Sequence, residues 1–310
     1  GGYFAMAFPA ALFIRKYSYK TGILLGLGLY SVGALLFIPA SMTGLYYPFL
    51  IAYFILTCGL SFLETSSNPY ILTMGDESTA TRRLNLAQAF NPIGSLLGMF
   101  TAMAFIQAKL SPLSTAERAQ LSPEEFEVVK AADLQVLIAP YVAVGLIVLL
   151  LFLIIRFTKM PKNADQDHSL HLGRALKRIF SIPRYREGVI AQFFYVGVQI
   201  MCWTFIIQYG TRIFVNQGMA EQDAEVLSQQ YNIVAMAIFC VSRFVCTFLL
   251  KYFSPGKLLM TLAIGGAILT AGVIGFQDIW GMYCLVGVSA CMSLMFPTIY
   301  GIALQGLGDD

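Results

Sequence analysis

Pro48-Phe-Leu-Ile-Ala-Tyr-Phe-Ile-Leu-Thr-Cys-Gly-Leu-Ser-Phe-Leu-Glu-Thr-Ser-Ser-Asn-Pro-Tyr-Ile-Leu-Thr-Met74 decides the fold. A helix needs about 20 apolar residues to cross the roughly 30 Å hydrocarbon core of a bilayer. This run is long enough and carries one formal charge, Glu64. On insertion scales a charge at mid-bilayer costs roughly 2.5–3.5 kcal/mol. Such a residue is retained when it faces a cavity, finds a partner or takes up a proton. Glu64 therefore marks both a membrane span and a candidate site.

The rest of the chain repeats the pattern. Of 310 residues, 57% are hydrophobic and 12% charged, about half the 25% charge of a soluble domain, and mean hydropathy is +0.70. Apolar segments fall at approximately 1–14, 21–40, 48–74, 84–108, 135–157, 187–211, 226–250, 258–277 and 281–303. The first is too short to span. The expectation is an all-α integral membrane protein of about nine transmembrane helices, beginning partway through a helix and ending short of its full set. No ten-residue alternation suggests a β-barrel. Fifteen of the 20 Lys and Arg lie in the connections 15–20, 75–83, 156–187 and 251–257, which places those on the cytoplasmic side. The net charge of +3 reflects those loops and gives no support to nucleic-acid binding. Cys58, Cys202, Cys240, Cys246, Cys284 and Cys291 all sit in apolar segments without C-x-x-C spacing. They read as small core residues and not as a disulfide frame or metal site.

A polar stretch, Pro161–His168, divides the chain, and Leu170–Phe180 after it has the pattern of a basic amphipathic helix on the membrane surface. The expected organisation is a helical bundle over 1–157, a cytoplasmic linker over 158–186 and a second bundle over 187–310. Two basic turns, Arg15–Lys20 and Lys251–Lys257, form a weak echo of an internal repeat, a common build among secondary transporters. In the outer loop, Ser122-Pro-Glu-Glu125 is a capping box with proline at the first helical position.

The polar residues inside the apolar segments fall on helix faces. Asn68 lies one turn after Glu64, and Pro69 frees a carbonyl near Thr65. The next segment carries Asn85, Gln88 and Asn91 on one face, then Pro92. Carboxamides both donate and accept, which suits a polyhydroxylated ligand, although polar contacts between helices are the competing use. Gln192, Tyr195, Gln199 and Trp203 fall within about 40° of one line on a helix, an amide and aromatic stripe typical of sugar recognition. Asn232 on the following helix is expected to join it, and Gln208 near the outer end less directly. Arg243 is expected to pair with a helix C-terminus or an acid in one conformational state. His168 and His171 lie in the linker and show no catalytic pattern.

Four blocks carry a resemblance: Gly59-Leu-Ser-Phe-Leu-Glu-Thr-Ser-Ser-Asn-Pro-Tyr70, Arg83-Leu-Asn-Leu-Ala-Gln-Ala-Phe-Asn91, Ala191-Gln-Phe-Phe-Tyr-Val-Gly-Val-Gln199 with Cys202-Trp203, and Phe296-Pro-Thr-Ile-Tyr300 with Gly306-Leu-Gly-Asp309. In order and spacing the chain resembles the fucose permease branch of the major facilitator superfamily, which includes glucose/galactose symporters. The resemblance implies a two-bundle transporter with the sugar bound between the bundles, this chain corresponding to family helices two to ten. It implies that Glu64 is the embedded glutamate of sugar binding and coupling, and that Gln88 and Asn91 face the sugar. The family's first helix, with an aspartate implicated in coupling, lies outside the match, as do its last two.

The function expected from residues and resemblance together is import of a monosaccharide by proton symport, with sodium as the alternative coupling ion and a non-transporting sugar sensor as the alternative role. No cofactor or metal is expected. The partners are a monosaccharide and the lipid bilayer, the chain is expected to be monomeric, and its place is a bacterial inner membrane. An enzyme would need a nucleophile–base set or metal cluster near Glu64, and the membrane segments supply none. An exporter of amphiphiles would have more aromatics and fewer amides on these faces.

Overall fold

The computed structural model describes residues 2–107, 109–111, 115–118, 120–160 and 178–305. Its described segments are helices joined by turns. They run α1 (Gly2–Lys16), α2 (Tyr19–Leu35), α3 (Phe37–Thr43), α4 (Tyr46–Thr73), α5 (Ala80–Gln88), α6 (Asn91–Thr101) continued by a π-helical stretch (Ala102–Gln107), α7 (Thr115–Arg118), α8 (Pro123–Phe157), α9 (Pro183–Asn216), α10 (Glu221–Leu249), α11 (Pro255–Gly275), α12 (Ile279–Met292) and α13 (Met295–Leu304). A bilayer offers no partners to backbone N–H and C=O groups, so spans close their hydrogen bonds internally as helices. Among the described residues, eight stretches are long and apolar enough to cross a membrane: Tyr19–Thr43, Tyr46–Thr73, Glu77–Ile106, Pro123–Phe157, Pro183–Asn216, Glu221–Leu249, Pro255–Gly275 and Ile279–Leu304. They account for every apolar segment of the sequence except the first, which is the 15-residue α1. The linker stretch 161–177, with both histidines and all but the last three residues of the expected amphipathic helix, and the block Gly306–Asp309 lie outside the described residues.

Three spans are cut in two, and the sequence explains where. Each downstream piece has a proline in its first turn: Pro39 in α3, Pro92 in α6 and Pro297 in α13. Proline lacks the N–H that would bond four residues back, but it is tolerated in a first turn. The breaks therefore fall just upstream, at Leu36, Ala89–Phe90 and Ser293–Leu294.

The contacts divide the chain into two compact units: Gly1–Thr73 with Gly98–Ser169, and Met74–Leu97 with Leu170–Asp310. In the first unit α2 and α4 touch backbone to backbone. A Cβ on Gly59 would stand 2.5 Å from the Tyr30 nitrogen and 2.7 Å from the Gly26 oxygen, and one on Gly33 would stand 2.5 Å from the Leu56 nitrogen. Small residues allow this approach, and dispersion between the two backbones stabilises the pair. Ser31 Oγ donates to the Gly145 carbonyl at 2.9 Å, and Phe37 stacks on Tyr141 at 4.1 Å, which fixes α8 against α2 and α3. The capping box forms as the sequence predicts: Ser122 Oγ accepts from the Glu125 N–H, and Glu125 Oε2 accepts from the Ser122 N–H at 3.1 Å. Asp133 takes the Ser111 N–H at 2.9 Å and an Arg118 ion pair at 2.7 Å, tying the preceding loop to α8.

In the second unit α9, α10 and α12 enclose Ile206, Ile213, Phe214, Met282, Leu285 and Val286. A second cluster, with Tyr195, Phe239, Val288, Met292 and Ile299, packs around the break between α12 and α13. The sequence boundary at 157 groups 74–97 with the first bundle, yet this segment makes contacts with α10 and α13. Asn85 bonds Thr298, Phe90 meets Phe244 edge-on at 6.0 Å, and Gly301 lies so close to Thr81 that a Cβ would stand 2.9 Å from its hydroxyl oxygen.

Candidate functional site

In the first unit the site begins with α4. Glu64 is half-buried, and the hydroxyl of Tyr3 on α1 donates to its Oε2. Close packing brings the two together: a Cβ on Gly2 would stand 2.5 Å from Thr57 Oγ1, and Ser61 Oγ donates to the Tyr3 carbonyl at 3.0 Å. The ion pairs recorded among the described residues, Arg118–Asp133 and Lys130–Glu127, do not include Glu64. The Tyr3 hydroxyl is a neutral donor, so this contact gives Glu64 no opposite charge. Asn68, one turn on, is buried, and α4 runs through Pro69 without a break.

In the second unit the predicted amides separate into different roles. Gln88 ends α5 and Asn91 opens α6, so the two flank the Pro92 break. Gln88 is half-buried and Asn91 exposed. Asn85 does not join them. It is fully buried, and its amide nitrogen donates to the Thr81 carbonyl at 2.8 Å and to Thr298 Oγ1 at 3.2 Å. It makes a polar contact between helices, and Gly301 lets α13 come close beside it.

The α9 stripe is also revised. Tyr195 is buried, and its hydroxyl donates to the Met292 carbonyl at 2.9 Å. That contact ties α9 to the last residue of α12, next to the break in the span. Gln192 and Trp203 share a helix face but lie about 16 Å apart along the axis, further than one pyranose ring reaches. Gln192 is the one carboxamide in an otherwise largely apolar groove of about 760 Å³ between α9 and α13. The edge-on Trp203–Phe239 pair at 5.0 Å and the Thr211–Ser228 contact set α9 antiparallel to α10. One turn before Trp203, this register puts Gln199 level with Arg243, whose guanidinium reaches the Gln88 carbonyl at 2.9 Å. Gln199 and Gln88 therefore stand at one level, with Trp203 and Asn232 successively further along.

Four buried polar atoms here have no hydrogen-bond partner: both ends of the Gln192 amide, Trp203 Nε1 and Asn232 Oδ1. An unsatisfied buried donor or acceptor costs about 1–3 kcal/mol, so such groups signal a ligand or water. They lie at different levels: the Gln192 amide offers a donor and an acceptor at one, and Trp203 Nε1 and Asn232 Oδ1 offer a donor and an acceptor further along. Among the described residues no three of His, Cys, Asp and Glu converge as a metal site.

Sequence reasoning could not supply Tyr3 as the partner of Glu64, nor Thr298 as that of Asn85, because both contacts join distant segments. The pairing of Arg243 with helix C-termini was legible in outline and is what the structure shows: it bonds Gln88, the last residue of α5, and Ser293, the C-cap of α12.

Proline-broken spans, an embedded carboxylate and buried polar side chains within the membrane segments fit a membrane carrier for a polar solute. The chain belongs to the Major Facilitator Superfamily, whose family model matches residues 1–309. The L-fucose-proton symporter of Haemophilus influenzae is 48% identical over 100% of this chain and 72% of its own. That of Escherichia coli is 35% identical over 100% of this chain and 70% of its own. A glucose/galactose transporter of Brucella abortus is 30% identical over 99% and 70%. A crystal structure of the Escherichia coli fucose:proton symporter superimposes with a TM-score of 0.92 at 34% identity, covering 99% of this chain and 75% of that one.

Proposed function

We infer that this protein imports a monosaccharide together with a proton by alternating access. The observation that carries the reading is the unpartnered buried donor on Trp203 and acceptor on Asn232, which suit a solute whose groups both donate and accept, as hydroxyls do. The names of the relatives agree: two are fucose-proton symporters and one carries glucose or galactose. Glu64 and Asn68 bind hydroxyls in one part of the chain. Gln88, Asn91, Gln199, Trp203 and Asn232 bind them in another, with Gln192 at a separate level. Proton uptake by Glu64 would end its hold on the sugar as an acceptor, which links release to protonation. The reading includes two bundles, 1–157 and 187–310, joined by 158–186. It includes a monomer in a bacterial inner membrane, with the proton as coupling ion and no cofactor.

The test is uptake by the full-length protein in proteoliposomes of radiolabelled fucose, galactose and glucose, under an imposed pH gradient, with and without sodium. Accumulation driven by the pH gradient alone is the expected result. Accumulation only with a sodium gradient would overturn proton coupling, and no uptake of any sugar would overturn the substrate class.

A further inference from the structure

Arg243 is 3% exposed on a membrane span, and no recorded ion pair among the described residues gives it a carboxylate. A buried charge without compensation is costly. Its recorded partners are two main-chain carbonyls: Nε donates to Ser293 O at 2.6 Å and Nη1 to Gln88 O at 2.9 Å. The guanidinium carbon lies 4.6 Å from the centre of the Phe239 ring, a cation–π distance. The two carbonyls share an origin. Each lies four residues before a proline, Gln88 before Pro92 and Ser293 before Pro297. In an unbroken helix the N–H of residue 92 would bond carbonyl 88, and that of residue 297 would bond carbonyl 293. Proline has no such N–H. Arg243 thus supplies the two missing donors, at the negative ends of two helix dipoles.

We propose that Arg243 is a positioning residue for sugar binding, holding the two proline-broken spans in register through their freed carbonyls and thereby aiming the Gln88 and Asn91 amides. The proposal rests on the reading of Gln88 and Asn91 as sugar ligands. The two flank the break that Nη1 holds, so the rotation of α6 relative to α5 sets the direction of both side chains. Arginine suits the task because its rigid fork points Nε and Nη1 at different acceptors, which a single ammonium does not reproduce. Tyr195 ties α9 to Met292, next to the break in the other span.

The test is a mutant cycle in the full-length protein, with sugar uptake in proteoliposomes and thermal unfolding in detergent as separate readouts. Arg243→Gln is expected to raise KM by about tenfold with Vmax per transporter within about threefold, the sign of lost binding rather than lost turnover. Arg243→Lys keeps the charge and is expected to recover less than half of that loss. Pro92→Ala restores an N–H to carbonyl 88. In the Arg243→Gln background it is expected to return KM to within about threefold of Pro92→Ala alone and to recover at least half of the lost melting temperature. An unchanged KM in Arg243→Gln, full rescue by lysine, or additive effects of the two substitutions would overturn the proposal. If Arg243→Gln does not fold, Arg243→Lys carries the same cycle. If the wild-type protein moves no sugar, the functional reading falls, and additivity of the melting temperatures still decides whether Arg243 and Pro92 are coupled.

Discussion

Asn85→Ala combined with Thr298→Val tests whether a carboxamide on the predicted ligand face instead joins helices. Asn85 is fully buried, its amide donates to Thr298 Oγ1 at 3.2 Å, and the Thr298 hydroxyl returns towards Asn85 Oδ1 at 3.5 Å. The first of these is an ordinary bond and the second is at the limit of one. Interhelical hydrogen bonds inside membrane proteins average about 0.6 kcal/mol and reach about 1.7. The coupling energy between the two sites should lie in that interval, a factor of roughly 3 to 18 in the unfolding equilibrium. Asn85→Ala alone should cost more, because it also opens a cavity and leaves the Thr298 hydroxyl unpaired. The assay is reversible unfolding of the four proteins in mixed micelles, with sugar KM measured on the folded fraction. Additive stabilities, or a large rise in KM from Asn85→Ala at unchanged stability, would refute the reasoning and return Asn85 to the sugar.

Glu64→Gln is expected to keep the Tyr3 hydrogen bond yet lower accumulation under a pH gradient by at least about tenfold, because an amide cannot carry the proton; uptake at unchanged height and pH dependence would count against the coupling role. Gly59→Ala should destabilise by about 1–3 kcal/mol in an unfolding titration, since its Cβ would meet the Tyr30 backbone at 2.5 Å. Gly94→Ala, whose Cβ would meet nothing within 4 Å, should be neutral or stabilising by up to about 1 kcal/mol. Asp133→Asn removes the Arg118 ion pair and should speed tryptic cleavage after Lys109 and Arg118. The Ser78 N–H holds the Asp76 carboxyl below its usual range, with help from the Ser78 side chain and Arg83. That turn should therefore be at full strength above the ordinary carboxylate pKa and loosen only as pH falls through the lowered one, read as faster exchange of the Ser78 amide.

The positions of the spans were legible because the bilayer imposes length and apolarity on each of them, and the capping box was legible because its geometry is local. Breaks at Leu36, Ala89–Phe90 and Ser293–Leu294 follow from Pro39, Pro92 and Pro297, although Pro69 and Pro140 sit inside unbroken helices, so proline alone does not decide. The face of a helix was legible and the depth was not. Gln192 and Trp203 lie on one line, yet about 16 Å of axis separates them, and angular coincidence is silent about that distance. Tyr195 and Asn85 sit on the predicted faces, but their partners Met292 and Thr298 come from a distant segment whose approach depends on the small residue Gly301. Glu64 was singled out by its cost in lipid, while its partner Tyr3 carries no comparable signal.

Thirty-five residues make α8 about 52 Å long, roughly 20 Å more than the hydrocarbon core it crosses. Its first turns, with Glu124, Glu125, Glu127 and Lys130, must project into water as a continuation of the same rod. That overhang is a ready-made gauge of helix inclination. A tilt change of about 20° within the ordinary range for membrane helices would swing its tip by roughly 7 Å. A fluorophore at its capped end would therefore convert the rocking of a transport cycle into a measurable sideways displacement over the membrane surface.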